Sequence, residues 1–480
     1  MKKLISVLLL LSVLLSVFAS CAAGNDGKDD NNSNESKENA VETAENGQKV
    51  PNIEKQNYDK DFRMLVYENM KGSWFYAEKS EGEVLNDAIF EMNSKVADQL
   101  GIRIKYTDVA NVVTGHEQLE MLLPSLKAND DEYQLVVTHP YYNIATFISQ
   151  SYVKDFSDMP GIDLSRDYWS RDQMEALSLD GKMYMGLGDI CSYTLNILYF
   201  NKKMLKDVGL EAPYQTVRNG DWTLDEFMRM TEYGYQDLNG DGKNDNKDRY
   251  GFACMWDANA TSFQQACGIY TLTKDAGGAY KLSLYSDKAE TLFEKLKTLC
   301  KREQSYIWGY GDSDNKEVNM NFADGNILFT QTFLSKKFQD ASFKYGILPL
   351  PKYDSAQEQY AHVNWGTLIA IPYTVQDEKM VGEAIELMAF YSNTIVQPAY
   401  YENVLGSKVS DTQDDWDMIQ LIYDTVVFDP GIAFCDGLPK LWNLVYAYCF
   451  AVKNNNKSLS SYYNKNKKAQ NEIDELLKQK

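Results

Sequence analysis

Apolar and polar residues recur along the chain with two different periods, and residues 61–109 show both of them. The segments DFRMLVYEN (61–69) and IRIKYTDV (102–109) are short runs rich in apolar and β-branched residues, which predicts two strands. The segment between them predicts a helix that ends at Gly101, because its apolar residues recur at helical spacing on one face. These apolar residues are Val84, Ala88, Met92, Val96 and Leu100.

The same alternation continues into a second helix and a third strand. The segment 116–130 has a helical pattern, and YQLVVTHPYY (133–142) is an apolar strand that ends in polar and aromatic residues. This strand–helix order predicts an α/β fold with a mostly parallel sheet covered by helices. Ligands of such sheets lie beyond the carboxyl ends of the strands, so His139, Tyr141 and Tyr142 are candidate ligand contacts.

The segment NGDWTLDEFMRM (219–230) predicts a further helix with a well-defined first turn. Thr223 is the N-cap and Glu226 closes a capping box three residues later, while Trp222 and Phe227 form a hydrophobic staple around it. Trp222 therefore has a structural role and ranks below the other tryptophans as a candidate ligand contact. The last hundred residues predict helices joined by loops.

The polar segment QDLNGDGKNDNKDRYGF (236–252) is similar to a calcium-binding loop. A calcium ion prefers six to eight oxygen ligands, and the alternating spacing supplies them from one short loop. The predicted ligands are Asp237, Asn239, Asp241, the backbone carbonyl of Lys243, Asp245 through water, and Asp248. Asp248 replaces the usual glutamate, and a strand pattern follows the loop instead of a helix. A tight turn with solvated charges is the alternative interpretation.

The N-terminus predicts export. Lys2 and Lys3 precede an apolar run from Leu4 to Phe18, which is too short for a membrane span and is typical of a signal peptide. The small residues before Cys21 resemble a bacterial lipobox, which implies removal of residues 1–20 and a lipid on the Cys21 sulfur. A plain secretory signal is the alternative. Residues 21–57 are polar and charged, which predicts a flexible tether.

Composition excludes several classes of function. The formal net charge of −21 argues against nucleic acid as a partner and against a basic membrane-binding patch, so that the lipid alone would hold the protein at the membrane. Three histidines in 480 residues argue against a histidine-built metal site and reduce the scope for Ser-His-Asp catalysis.

Six cysteines remain besides Cys21. Exported cysteines can form disulfides, and six allow fifteen full connectivities, among which the sequence does not choose. Buried free thiols are the alternative. The six are Cys191, Cys254, Cys267, Cys300, Cys435 and Cys449.

A set of motifs in a fixed order resembles the extracellular solute-binding proteins of ABC transporters, family 1, the carbohydrate-type branch. The motifs are the lipobox, LDGKMYMG, LYFNKKMLKDVGL, DWTLDEF, DLNGDGKNDNKDRYGF, FADGNILFT, KYGILPLPK and GTLIAIP. The resemblance covers nearly the whole body of the chain. It implies a periplasmic-binding-protein type II fold of two α/β lobes, a ligand cleft between them and a helical C-terminal region.

The resemblance also implies a lobe assignment and a partner. The first lobe would comprise 58–188 and 344–398, and the second would comprise 189–343 and 399–480. The protein would sit on the extracellular face of the bacterial membrane, bind a solute without enzymatic turnover, and deliver it to an ABC permease. The expected solute is an oligosaccharide.

Sugars are bound by aromatic faces together with carboxylates and amides that hydrogen-bond the hydroxyls, on a mainly apolar wall. Residues of these types at predicted strand ends and crossings are therefore the candidate ligand contacts. Besides the three residues at 139–142, they are Trp365, Trp256, Asp189, Tyr193, Asn364, Asp257 and Trp74. For any single aromatic residue, core packing is the alternative.

Three other functions stay open from the residues alone. A secreted glycoside hydrolase would place two carboxylates around a sugar cleft, and a chain with 69 acidic residues can supply them. The fold class also binds peptides and other non-sugar solutes. The motif DLNGDG is similar to one dockerin repeat of a scaffolding module, but the sequence contains no second copy.

Overall fold

The computed structural model describes residues 43–44, 46–67, 74–109, 115–256, 258–309, 319–338, 340–405, 412–449 and 458–478. The predicted signal peptide, the lipidation residue Cys21 and the ligand candidate Asp257 lie outside these residues. In the described part of the chain, no helix is both long and apolar enough to span a bilayer.

Strands and helices alternate through most of the chain. The strands are β1 (Lys60–Tyr67), β2 (Ile102–Val109), β3 (Leu135–Thr138), β4 (Asn196–Asn201), β5 (Tyr250–Trp256), β6 (Leu272–Lys274), β7 (Tyr280–Leu282), β8 (Ser305–Gly309), β9 (Ile327–Phe333), β10 (Tyr345–Leu348), β11 (His362–Val363), β12 (Leu368–Ala370) and β13 (Val426–Val427). The helices up to residue 301 are α1 (Val84–Leu100), α2 (Glu117–Ala128), α3 (Ile144–Ser149), α4 (Arg171–Ala176), α5 (Lys202–Asp207), α6 (Tyr214–Arg218), α7 (Leu224–Thr231), α8 (Ala258–Ala266) and α9 (Asp287–Lys301).

The rest of the chain is mainly helical, which confirms the predicted helical C-terminal region. A π-helix at Ser392–Val396 joins the first two of these helices directly. The helices are α10 (Glu378–Tyr391), α11 (Gln397–Leu405), α12 (Gln413–Asp424), α13 (Pro430–Phe434), α14 (Pro439–Val445), α15 (Leu459–Asn466) and α16 (Ala469–Lys478).

The first lobe is built on a sheet with the strand order β12-β3-β1-β2. β1 pairs in parallel with both β2 and β3, and β12 closes the sheet antiparallel to β3. The predicted β-α-β-α-β alternation is confirmed. Helix α1 ends at Gly101 in the left-handed conformation, as predicted, and four of its five predicted face residues are buried. Val84, at the first position of the helix, is exposed because the buried stripe begins one turn later.

The second lobe is built on a sheet with the strand order β10-β4-β9-β5-β8. β5 runs parallel to β8 and β9, and β4 runs antiparallel to β9 and β10. Helices α7 and α8 cover one face of this sheet: the ring of Phe252 on β5 lies 5.3 Å from the ring of Phe227 and 6.2 Å from that of Phe263. The predicted two-lobed α/β fold is thus confirmed.

The entry into helix α7 follows the sequence prediction. The Thr223 hydroxyl accepts a hydrogen bond from the Glu226 amide at 3.3 Å. The ring of Trp222 lies 5.9 Å from the ring of Phe227, and Trp222 is fully buried. The Trp222 indole nitrogen donates to the Pro349 carbonyl at 2.9 Å, which fixes the start of the helix against the segment that follows β10.

Two predicted boundaries differ from the contacts in the structure. Although composition predicts a tether up to residue 57, the chain lies against the body from Pro51, because Ile53 and Gln56 hydrogen-bond with Gln99 on α1. The predicted return to the first lobe begins at 344, but β10 pairs with β4 in the second sheet, and β12 is the strand that pairs in the first. A strand's sequence does not specify its partner.

The six described cysteines are all free thiols. Cys191, Cys254, Cys267 and Cys435 are buried, and Cys300 and Cys449 are partly buried. Burial raises the pKa of the Cys191 thiol to about 12, which keeps it protonated and unreactive at neutral pH. Of the two possibilities left open by the sequence, the structure therefore shows free thiols and not disulfides.

Candidate functional site

Two chain segments run side by side between the lobes, and we call residues 186–195 and 364–369 the crossing. Gly186 bridges to Ile369 at one end, and Leu195 bridges to Asn364 at the other. In the first sheet the crossing begins at β12, whose Leu368 pairs with Thr138 at the end of β3. It leads into the first residue of β4 in the second sheet. The crossing thus lies at the carboxyl edges of the parallel strands in both sheets.

Four predicted ligand residues lie on the crossing, and Asn364 holds its two segments together. The Asn364 side-chain oxygen accepts hydrogen bonds from the Thr194 amide at 2.9 Å and the Gly366 amide at 2.7 Å. Asn364 is 3% exposed. These contacts give Asn364 a structural role within the crossing. The other three residues are Asp189, Tyr193 and Trp365.

Asp189 is surrounded by hydrogen-bond donors, which we call the aspartate cage. Its two carboxylate oxygens accept from Asn393 Nδ2 and Gln397 Nε2, both at 2.6 Å, and the Tyr193 hydroxyl donates to the same carboxylate. Burial raises the pKa of Asp189 to about 6, and these hydrogen bonds oppose that rise. Asp189 is therefore predominantly ionised at neutral pH.

The donors of the aspartate cage come from the π-helix and the first residue of α11. Asn393 lies within the π-helix, and Gln397 directly follows it. A π-helical turn shifts the register of a helix and is frequent at functional sites. Sequence reasoning missed both donors, because neither has a local pattern that points to residue 189. They lie 204 and 208 positions away along the chain.

Trp74 and Tyr193 pack beside the aspartate cage. The Trp74 indole nitrogen donates to the Asp189 carbonyl at 3.0 Å, and its ring lies edge-on to Tyr400 at 5.1 Å. Trp74 is 2% exposed, which places it in the supporting core. The Tyr193 ring lies 5.3 Å from that of Tyr423 on α12, so the crossing also contacts the C-terminal helices.

The three candidates at the end of β3 form a second group, which we call the aromatic cluster. It consists of Tyr67 at the end of β1, His139, Tyr141, Tyr142 and Tyr446. The Tyr67 and Tyr142 rings stack at 5.6 Å with an interplanar angle of 24°, and His139 lies 5.5 Å from Tyr142. Tyr141 contacts both Tyr142 at 4.9 Å and Tyr446 at 6.1 Å. Since β1 and β3 are parallel neighbours, their carboxyl ends bring Tyr67 together with the three residues proposed from the sequence.

His139 is an uncharged member of the aromatic cluster. Burial lowers the pKa of its imidazole to about 4, so the ring is neutral at physiological pH. Its Nδ1 accepts from the Tyr141 amide at 3.2 Å, which leaves the proton on Nε2 as a hydrogen-bond donor. The cluster therefore offers aromatic faces and a neutral donor, which suits an uncharged polar ligand better than an ion.

Trp256 and Trp365 lie on the second-lobe side of the crossing. Trp256 ends β5, and its ring lies nearly parallel to that of Phe263 at 6.4 Å and 26°. The Trp365 indole nitrogen donates to the Ser262 hydroxyl at 3.3 Å, and its amide donates to Thr194 on the crossing. Their exposed fractions are 2% and 5%, so both tryptophans are buried at the carboxyl edge of the second sheet.

The predicted calcium loop is closed by a bridge between Gln236 and Arg249, and β5 begins directly after it. Asp237 accepts from the amides of two glycines of the loop, at 2.6 and 3.0 Å. Asp248 is fully buried and accepts from the Leu238 amide at 3.1 Å. The remaining side-chain oxygens, those of Asn239, Asp241 and Asp245, also accept from amides of the loop.

The side chains of this loop suit a hard cation in two respects: their ligand atoms are oxygens, and their spacing along the sequence is the one that Ca²⁺-binding loops use. The carboxylates are engaged with the loop's own amides. Among the described residues, no three acidic, histidine or cysteine side chains converge on one point as a metal site requires. Calcium binding at this loop therefore stays a prediction.

The structure is similar to several solved solute-binding proteins. One is an ABC substrate-binding protein from Listeria monocytogenes in complex with cycloalternan, with 13% identity, a TM-score of 0.54, and coverage of 87% of this chain and 99% of that one. A sugar transporter protein from Rhizobium etli in an open conformation has 14% identity, a TM-score of 0.58 and coverage of 87% and 99%. UgpB from Mycobacterium tuberculosis in complex with glycerophosphocholine has 16% identity, a TM-score of 0.57 and coverage of 87% and 98%. At these identities the likeness concerns the fold.

No curated protein matches the chain. A family model does: the model described as bacterial extracellular solute-binding protein matches residues 97–408. That segment includes all of the second sheet, three of the four strands of the first sheet, both segments of the crossing, and the residues of the aspartate cage. Because the match spans more than half of the 480 residues, the chain belongs to the family of bacterial extracellular solute-binding proteins.

Proposed function

We propose that this protein captures an uncharged polyhydroxylated solute, an oligosaccharide, between its two lobes and delivers it to an ABC importer. The observation that carries the proposal is the collection of aromatic rings at the carboxyl edges of both sheets. Tyr142 and its neighbours lie on one side of the crossing, and Trp256 and Trp365 lie on the other. Aromatic faces with a few placed polar groups are the usual lining of sugar sites.

The crossing gives the lobes a way to respond to a solute. Two lobes that are joined by a pair of extended segments can close about those segments as a hinge. A solute that contacts both lobes favours the closed state only through the extra contacts it makes there. The aspartate cage holds the first-lobe end of the crossing in place, so that its carboxylate orients the hinge instead of reacting with the solute.

The N-terminal sequence supports a lipid anchor at the extracellular face of the membrane. A lipid on Cys21 and the polar segment that follows it would keep the body within reach of the permease. A Cys21→Ala variant is expected to leave the membrane fraction and accumulate in the medium, as measured by fractionation and immunoblotting. Retention of that variant in the membrane would contradict the anchor.

We expect binding without turnover. Each oxygen of the Asp189 carboxylate already accepts an amide hydrogen bond, which makes it a poor acid or nucleophile for glycoside hydrolysis. Incubation with oligosaccharides, followed by chromatography of the products, tests this expectation. Hydrolysis at enzyme-like rates would replace the proposal with the membrane-tethered glycoside hydrolase.

The ligand class is tested by thermal shift over a panel of maltooligosaccharides, other di- and trisaccharides, and short peptides. A ligand that binds only the folded state stabilises it by RT ln(1 + [L]/Kd), about 2.7 kcal/mol at one hundred times Kd. We expect one or more saccharides to raise the Tm by several degrees and the peptides to leave it unchanged. A rise with peptides and none with saccharides would assign a peptide solute instead.

We further propose that the loop between Gln236 and Arg249 binds a structural Ca²⁺. The order of its oxygen donors supports this, and the ion would hold helix α7 near the start of β5. A chelator such as EGTA is expected to lower the Tm, and excess Ca²⁺ to restore it, while the order of saccharide preference stays the same. An Asp241→Ala variant should no longer respond to the chelator. An unchanged Tm in EGTA, or a changed preference, would contradict this role.

A further inference from the structure

Strand register places three residues in one row at the carboxyl edge of the second sheet. Asn196 at the start of β4 pairs with Phe333 at the end of β9. Phe252 on β5 pairs with Phe329 on β9, and each strand continues for four more residues, to Trp256 and to Phe333. Side chains two positions apart share a face, so Asn196, Phe333 and Trp256 lie on the same face of the sheet.

The two outer residues of this row carry buried polar atoms without a partner. Asn196 and Trp256 are each 2% exposed. Within the described part of the chain, neither the Asn196 side-chain oxygen nor the Trp256 indole nitrogen has a hydrogen-bond partner. Buried polar groups in native proteins are nearly always bonded, so each of these atoms calls for an explanation.

Neighbouring contacts keep both side chains from turning to other partners. The Asn196 side-chain nitrogen donates to the Ser262 hydroxyl at 2.9 Å, and that hydroxyl also accepts from Trp365. The Trp256 ring lies against Phe263 on α8. The unpartnered oxygen and nitrogen are therefore fixed in place, which suits groups that wait for a ligand.

The residue between them is an exposed aromatic ring. Phe333 is 37% exposed, although the rest of β9 is largely buried. An exposed phenyl face at this position can carry the CH face of a sugar ring, and Asn196 and Trp256 flank it in the row. Neighbouring strands are about 4.8 Å apart, so the outer Cα atoms are separated by roughly 10 Å, a span suited to one pyranose ring and its hydroxyls.

We propose that Asn196, Phe333 and Trp256 form a subsite that determines specificity for one sugar ring of the solute. The inference rests on the proposed function and names the chemistry of the group bound. One hydroxyl of a sugar ring can accept from the Trp256 indole while another donates to the Asn196 oxygen. A carboxylate cannot donate to Asn196 and an ammonium group cannot accept from Trp256, whereas a hydroxyl suits either position.

Two substitutions test the subsite with matched controls. Phe333→Ala removes the stacking ring from an exposed position, and Tyr233→Ala, at a residue 49% exposed, is its control. Trp256→Phe removes the indole N–H and keeps an aromatic ring, and Trp222→Phe is its control because the Trp222 indole is bonded to Pro349. Affinity is measured by calorimetry with the saccharide that most raises the Tm of the unmodified protein.

We expect Trp256→Phe to weaken saccharide binding roughly three- to tenfold, as for the loss of one hydrogen bond, and Phe333→Ala to weaken it about tenfold. The two control variants should bind within twofold of the unmodified protein. In the absence of saccharide, Trp256→Phe should lower the Tm less than Trp222→Phe, because it removes an N–H that no atom of the described residues accepts.

Three results would overturn the subsite. Unchanged saccharide affinity in both Trp256→Phe and Phe333→Ala would show that these residues do not contact the solute. A ligand-free Tm loss in Trp256→Phe equal to that in Trp222→Phe would show that a permanent partner, such as a bound water, already satisfies the indole. Equal weakening of binding in the controls would show that the effect is general. If no saccharide shifts the Tm of the unmodified protein, the proposed function fails, and the ligand-free comparison still tests the unpartnered indole.

Discussion

Replacement of Asp415 by alanine is expected to lower the free energy of unfolding by about 3–5 kcal/mol. Asp415 lies in the first turn of α12 and is fully buried. Its carboxylate accepts hydrogen bonds from Lys202 Nζ at 2.7 Å, the Tyr214 hydroxyl at 2.5 Å and the Ile347 amide at 3.1 Å. Removal of the carboxylate leaves the buried Tyr214 hydroxyl, the buried Ile347 amide and the partly exposed Lys202 ammonium without this acceptor.

The loss is large because each donor belongs to a different element of the second lobe. Lys202 begins α5, Tyr214 begins α6, and Ile347 lies on β10, so the one carboxylate fixes α12 to three parts of the lobe. Removal of an acceptor costs the desolvation free energy of each buried donor that is left unsatisfied, and two of these three donors stay buried. Urea unfolding monitored by circular dichroism measures this cost.

Asp417 provides the matched control on the same helix. Its carboxylate pairs with Arg218 at 2.7 Å, but both side chains are more than one-third exposed. Exposed ion pairs contribute from zero to about 1 kcal/mol, so Asp417→Ala is expected to change the unfolding free energy by no more than that. Equal effects of the two alanine substitutions would contradict the interpretation of Asp415 as a buried anchor.

The segment SDTQDDWD illustrates what sequence pattern could not reveal. Its acidic residues are typical of a solvent-exposed helix start, and nothing in the local sequence distinguishes one aspartate from another. Asp414 and Asp417 are indeed partly exposed, whereas Asp415 between them is buried among donors about 70 to 210 positions away in the chain. Which of several neighbouring carboxylates faces the core depends on tertiary contacts that a local pattern does not contain.

Features that depend on neighbouring residues were predictable. The capping box at Thr223, the helix end at Gly101 and the strand–helix alternation of the first lobe follow from interactions within a few positions. The convergence of His139 and Tyr142 was also predictable, because it requires only that the end of β3 lie at the carboxyl edge of a parallel sheet. Local chemistry was sufficient in these cases.

Features that join distant segments were not predictable. The donors to Asp189 come from a π-helix and the residue after it, which no sequence pattern predicts. The row of Asn196, Phe333 and Trp256 forms only when three distant strands pair in one sheet. Trp74 is as buried as Trp256, but its indole nitrogen already donates to the Asp189 carbonyl, which gives it a supporting role that its sequence position did not indicate. Residue type narrows the candidates, and sheet register decides among them.

Gly366→Ala is expected to weaken solute binding by at least tenfold, the second large effect. Gly366 lies on the crossing, where a Cβ atom would sit 1.8 Å from the Ser192 carbonyl oxygen. Normal contact distances are about 3.5 Å, so the two segments would have to move apart by roughly 1–2 Å. That shift disturbs the hydrogen bond from the Thr367 amide to Ser192 and tilts one lobe relative to the other. A ligand that must contact both lobes then loses its fit to one of them.

A comparable clash outside the crossing separates this effect from a loss of stability. At Gly251 on β5, a Cβ atom would lie 1.6 Å from the Thr231 carbonyl oxygen, within the second lobe alone. Overpacking of this kind costs about 1–3 kcal/mol at either position. We expect both variants to unfold at lower urea concentration, but only Gly366→Ala to lose saccharide affinity when both are measured under folded conditions. Equal affinities in the two variants would show that the geometry of the crossing does not control how the lobes hold their solute.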